Sequence, residues 1–168
     1  MTNPTPPTPS SDSRQLAEEV FGLTVMFWRE RLASRGNTNE LSESQFLTLD
    51  LLERQGTLNV GEIQRSIGVL PAQMSRIIRS LESGFDKPLI RCELNQQDKR
   101  KIDVSTTPFG HRTYEEFRNS RLVKTQDILA RLPANDCQEF IRICRNIKQL
   151  YNSEGGVSAS AETSVKTP

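Results

Sequence analysis

Arg76 and Arg79 stand three residues apart, and Lys99, Arg100 and Lys101 follow one another directly. Guanidinium forks and ammonium groups in such numbers bond phosphate oxygens and the acceptor edges of bases. Between Ile63 and Leu81 the chain carries Arg65, Arg76 and Arg79 and no carboxylate. Residues 60–112 hold nine Lys and Arg against six Asp and Glu, while the whole chain is only +1, so the remainder is net negative. Positive charge is therefore concentrated in one segment, as contact with a phosphate backbone requires. Two arginines on a helix would, taken alone, be an ordinary solvated face. The elements around them decide the matter.

Other chemistries find little support. His111 is the single histidine, and Cys92, Cys137 and Cys144 lack metal-ligand spacing, so neither a metal nor a cofactor is expected. No glycine-rich phosphate loop, GxSxG or HExxH occurs, which leaves an enzyme without a nucleophile–base or metal set. Cys137 and Cys144 lie seven apart on one apolar helix face and read as core. Cys92, beside Arg91, is open to two readings, a reactive thiol or inert packing. An odd cysteine count, no apolar run near the roughly 20 residues that span a bilayer, and no basic-then-apolar leader at the start point to the cytoplasm.

The positioning elements follow from periodicity. Met74, Ile77, Ile78 and Leu81 fall at i, i+3, i+4 and i+7, the pattern of an amphipathic helix. Its opposite face is centred on Ala72, Arg76, Arg79 and Ser83, with Gln73, Ser75 and Ser80 at the sides. Pro71 suits the first helical position. Before it, Ile67-Gly-Val-Leu70 is a tight turn, preceded by a short helix that Asn59 and Glu62 open as a capping box. Ser42 and Gln45 open an earlier helix in the same way, with Phe46, Leu49 and Leu52 as its apolar side. After Gly84 the helical period fails. Residues 88–93 and 102–106 read as strands around the basic turn Asn95–Lys101. Thr107-Pro108 caps a long helix to about Arg131, Pro133 breaks it, and a last helix runs to about Asn152. The expected fold is mainly α: a winged helix-turn-helix with a two-stranded β-hairpin wing and N- and C-terminal dimerisation helices. A B-DNA major groove, about 12 Å wide, admits one such helix.

The remaining segments complete the organisation. Residues 1–13 and 153–168 are polar and read as disordered tails. Residues 14–40 form an N-terminal dimerisation helix whose two stripes, Leu16, Val20, Leu23, Phe27 and Phe21, Val25, Trp28, Leu32, require burial on two sides. Residues 41–106 are the DNA-binding region and residues 107–152 the C-terminal dimerisation helices. The stripe Cys137, Phe140, Ile141, Cys144, Ile147, Tyr151 offers more apolar surface than one small domain hides. The alternative is that this surface closes the monomer's own core.

Residues 41–110 resemble the multiple antibiotic resistance regulator (MarR) family. The matching stretches are LSESQFLTLDLL (41–52), LNVGEIQRSIGV (58–69), MSRIIRSLE (74–82), DKR (98–100) and VSTTPFG (104–110). The resemblance implies that Ser75 and Arg76 contact bases and phosphates, that Arg100 enters the minor groove, and that Asp98 holds that arginine. The DNA-facing set is then Ala72, Gln73, Ser75, Arg76 and Arg79 on the helix, with Asp98, Lys99, Arg100 and Lys101 in the wing. Lys99 and Lys101 suit phosphates; Asp98 is also an ordinary turn residue. Two departures stand out. Leu70 replaces the usual capping serine, and the link over residues 83–88 is longer than usual. The resemblance further implies a homodimer on a near-palindromic double-stranded DNA operator, acting as a repressor. It also implies a small aromatic or anionic effector, for which Trp28, Arg31, His111 and Tyr114 are the candidate contacts. Each of these is equally readable as packing or surface. The competing class is a winged-helix module that docks an acidic protein without reading DNA sequence.

Overall fold

The computed structural model describes residues 11–33 and 40–153, with the side chains of residues 30–33 and 124 outside that description. The expected tails fall outside it over 1–10 and 154–168. The chain divides into two compact units at Glu40–Leu41. The first holds α1 (Ser11–Ala33). This helix opens three residues before the expected Arg14, because Asp12 in its first turn complements the helix dipole. Residues 11–13 are therefore helical and not part of a tail.

The second unit runs α2 (Glu43–Gln55), β1 (Leu58–Asn59), α3 (Val60–Ile67), α4 (Pro71–Ser83), β2 (Ile90–Leu94), β3 (Ile102–Thr106), α5 (Pro108–Leu129) and α6 (Ala134–Ser153). Local chemistry sets most boundaries. Ser42 and Asn59 both form complete capping boxes, with Gln45 and Glu62 returning the bond. Gly68 ends α3 in the left-handed region at φ 72°, a conformation that costs glycine no steric strain. Thr107 caps α5 by accepting from Gly110 N–H at 3.0 Å. Ser153, expected in the tail, is the last residue of α6, where its hydroxyl donates to the Leu150 carbonyl at 2.9 Å.

The sheet has three strands, in the order β1-β3-β2, not the two expected. Leu58 pairs with Val104 and Asn59 with Asp103, antiparallel. A two-residue strand is too short to show a period of two, so only its pairing to a distant partner defines it. Its presence makes β3 the central strand and leaves Val104 with no exposure.

One core fills this unit. Leu49, Leu52, Ile63, Met74, Ile77, Leu81, Leu89, Ile90 and Val104 are buried together, with Leu41 and Tyr114 at the margin. Phe46 of α2 stacks on Tyr114 of α5 at 5.4 Å between ring centroids and leans on Phe117 at 5.0 Å. The longer link after α4 is a folded turn. Leu89 N–H donates to the Leu81 carbonyl at 2.8 Å, and Phe85 packs against the core. The Leu89 carbonyl then accepts from Thr107 N–H at 3.0 Å. Gly110 lies directly against that carbonyl, where a Cβ would overlap the Leu89 backbone. Gly110→Ala is therefore expected to lower stability by at least about 2 kcal/mol, through backbone displacement in a close-packed region. Urea denaturation of wild type and variant measures it.

Candidate nucleic-acid interface

Helix α4 is held by its apolar side. Met74, Ile77 and Leu81 are buried and Ile78 packs against the same core. That fixes what faces outward: Ala72, Gln73, Ser75, Arg76 and Arg79 are all exposed. Neither guanidinium on this face makes an ion pair or side-chain hydrogen bond among the described residues. Ser75 turns its hydroxyl back to the Pro71 carbonyl at 3.1 Å, and Ser83 does the same to Arg79 at 2.9 Å. The first turn of α4 contains no acidic residue, so the positive end of the helix dipole and the arginines add rather than cancel.

The helix is also tied to α2. Gln45 Oε1 accepts from Ser42 N–H at 2.7 Å while Gln45 Nε2 donates to Ser80 Oγ at 2.8 Å. One amide thus completes a helix cap and fixes the neighbouring helix. The capping-box spacing announced the first role of Gln45; nothing local in the sequence announced the second.

The wing tip is organised around Asn95, which the sequence reading did not single out. Its Oδ1 accepts from Gln97 N–H at 2.9 Å and Asp98 N–H at 2.8 Å, while Nδ2 donates to Asp103 Oδ2 at 2.8 Å. This side chain imitates a backbone turn, a habit of asparagine that could have flagged it. Asp98 then accepts from Arg100 N–H at 3.1 Å and pairs with Lys101 Nζ at 3.7 Å. Asp98 thus meets Arg100 through the backbone amide, and its charge is directed to Lys101. The guanidinium of Arg100 and the ammonium of Lys99 are exposed and unpaired among the described residues. Arg91, on β2, is exposed and lies 3.7 Å from Glu93.

The candidate effector contacts fall in different places. His111 and Tyr114 lie one turn apart on α5, and both are engaged by α2. His111 Nδ1 bonds Glu53 Oε2 at 2.8 Å, and Tyr114 OH donates to Asp50 Oδ1 at 2.8 Å. Trp28 is exposed on α1, in the other unit, and the Arg31 side chain lies outside the described residues. Cys92 is half-buried; burial and the neighbouring Glu82 carboxylate both push its thiol pKa up, which disfavours the nucleophilic thiolate. Among the described residues no cluster of His, Cys, Asp and Glu is placed to hold a metal ion, and no helix is long and apolar enough to cross a membrane.

A short helix, a left-handed glycine turn, a helix with an outward cationic face and a stapled hairpin together define a winged helix-turn-helix. The MarR family model matches residues 41–102, so this segment is a MarR-family domain, as its motifs suggested. Solved structures share the architecture. The YusO protein of Bacillus subtilis is 24% identical over 83% of this chain and 98% of its own, with a TM-score of 0.60. A MarR family protein of Bacillus stearothermophilus is 18% identical over 84% and 94%, with a TM-score of 0.66. BpsR of Bordetella bronchiseptica, whose DNA binding is regulated by 6-hydroxynicotinic acid, is 20% identical over 77% and 98%, with a TM-score of 0.55. Among curated proteins none matches the sequence.

Tyr114 carries a pH signature. Burial, reinforced by its bond to Asp50, pushes its pKa up to about 12 from an ordinary 10.0. The folded state thus holds this proton more tightly than the unfolded chain. The associated stability is complete below pH about 10 and is lost as pH rises towards about 12. Tyr114→Phe should lose about 1 kcal/mol at neutral pH and show a shallower fall in stability through the alkaline window. Urea midpoints at stepped pH for the two proteins test this.

Proposed function

We propose that the chain is a transcriptional regulator that binds a near-palindromic DNA operator as a homodimer, acting as a repressor in the cytoplasm, and that it is not an enzyme. The observation that carries this reading is the outward face of α4. Arg76 and Arg79 are exposed and unpaired there, on a helix whose other side is locked into the core. Guanidiniums that no carboxylate pairs are ready donors for guanine edges and phosphates, and a second cationic element follows at Lys99 and Arg100. In this reading Ala72, Gln73, Ser75, Arg76 and Arg79 occupy the major groove. Arg100 reaches into the minor groove, where narrow stretches concentrate negative potential. Lys99 contacts phosphate, Lys101 contributes through its balance with Asp98, and Asp98 shapes the tip.

Two-fold pairing is supported by the apolar helix faces. Phe21, Met26 and Trp28 of α1, and Phe140, Ile141, Ile147, Leu150 and Tyr151 of α6, are exposed. Helix α6 contains no buried residue over its 20 positions. A helix of that length with an uncovered apolar stripe gains its stability from a partner surface. A dimer built on the apolar faces of these helices would present two reading heads about one DNA turn, roughly 34 Å, apart. A small aromatic or anionic effector is part of the same proposal, by analogy with BpsR. His111 and Tyr114, whose bonds to α2 a ligand could exchange, are its candidate contacts.

Arg76→Ala and Arg100→Ala should each weaken binding to an operator selected from random DNA by about 10- to 100-fold without lowering the melting temperature. Lys99→Ala should weaken all sequences alike and reduce the salt slope by about one. Fluorescence anisotropy titrations over a salt series measure both. Operator binding like wild type by both arginine variants would overturn the assignment, and salt-independent affinity without sequence preference would favour a protein-docking module. Ile141→Asp combined with Ile147→Asp should convert the protein to a monomer in sedimentation experiments and abolish operator binding.

A further inference from the structure

Leu70 is 73% exposed, the highest value among the exposed large hydrophobic residues described. Its neighbours Ile67 and Val69 pack against the core, so the exposure belongs to this position and not to the turn as a whole. Leu70 also holds the N-cap of α4, where it makes no side-chain capping bond. At the corresponding position of α2, α3 and α5 the chain places Ser42, Asn59 and Thr107, each of which accepts from a backbone N–H. Leucine is among the poorest capping residues. At this position the domain thus gives up a cap and leaves a large apolar side chain in water.

Resting on the DNA-binding reading, we infer that Leu70 is a specificity-determining residue, whose side chain meets the 5-methyl group of a thymine in the major groove. Three features of the site support that occupant. The residues around it, Ala72, Gln73, Ser75 and Arg76, are exposed and carry no acid, which suits a polyanion and not an apolar protein surface. The first residues of a recognition helix are those that reach base edges, and the thymine methyl is the one apolar group that a base pair displays in the major groove. The backbone is already set: Leu70 sits at φ −70°, ψ 152°, between the left-handed Gly68 and the ring of Pro71. Little further ordering is needed at this position to form the contact. Beside Leu70, the Ala72 methyl extends the apolar step, while Gln73 and Arg76 supply polar readout of adjoining bases.

The test scans each thymine of a selected operator with deoxyuridine, which removes only the methyl group. Wild type should show one thymine per half-site at which the change weakens binding about fourfold, the worth of burying one methyl group. Leu70→Ala and Leu70→Ser should bind the thymine and deoxyuridine forms equally. Leu70→Ser, which restores a capping hydroxyl, should melt about 2–4 °C above wild type. A lower melting temperature for Leu70→Ser, with binding lost equally on all sequences, would make Leu70 a packing residue and overturn the inference. So would a scan without a sensitive thymine, or a sensitivity that persists in Leu70→Ala. Failure of the wild type to select any DNA from a random pool would overturn the DNA-binding reading itself, before the scan begins.

Discussion

Met74, Ile77 and Leu81 of α4 are sunk into the core that also holds Leu49, Leu52 and Ile63, and the character of the surface follows from that burial. Each such side chain contributes about 1.5–3 kcal/mol when withdrawn from water. Turning the helix by one residue, about 100°, would expose them and drive Arg76 or Arg79 inward, where an unpaired charge is far more costly. The orientation of α4 is thus set by exclusion as much as by attraction. The one carboxylate on α4, Glu82, interacts with Cys92, and the outward arginines form no ion pair among the described residues. The domain folds with a charge demand unmet.

The wing shows a different economy of charge. Asp98 lies among three consecutive cations, and its carboxylate takes up Lys101 while fixing the Arg100 backbone. One acid thereby shapes the loop, and two of the three cations stay unpaired. Asn95 does the structural work from the opposite end of the turn, tying the loop backbone to Asp103 on β3.

What could be read in advance was what is local. Capping boxes at Ser42 and Asn59, the first-position prolines at Pro71 and Pro108, and the 3.6-residue stripe through Met74–Leu81 each depend on residues within about two turns. All of them appear in the structure. The features that escaped depend on distant partners. β1 exists only because Leu58 meets Val104, and the second bond of Gln45 only because α4 passes beside α2. The long link after Ser83 looked like slack. It is instead a closed turn, because Leu89 is wholly buried and its N–H finds the Leu81 carbonyl. On the site itself, the stripe correctly separated Ala72, Gln73, Ser75, Arg76 and Arg79 from the buried side. The spacing of Asp98 and Arg100 could not tell whether backbone or guanidinium would meet the carboxylate.

Leu89 has a mechanical consequence. Its amide is bonded to the end of α4, its carbonyl receives the cap of α5, and the first turn of α5 rests on it without room for a methyl group. The recognition helix, the root of the wing and the start of the long helix are therefore pinned at one residue. Force applied along α5 would be transmitted through this pivot with little give. A displacement of any one of the three elements would therefore be felt by the other two through the Leu89 backbone.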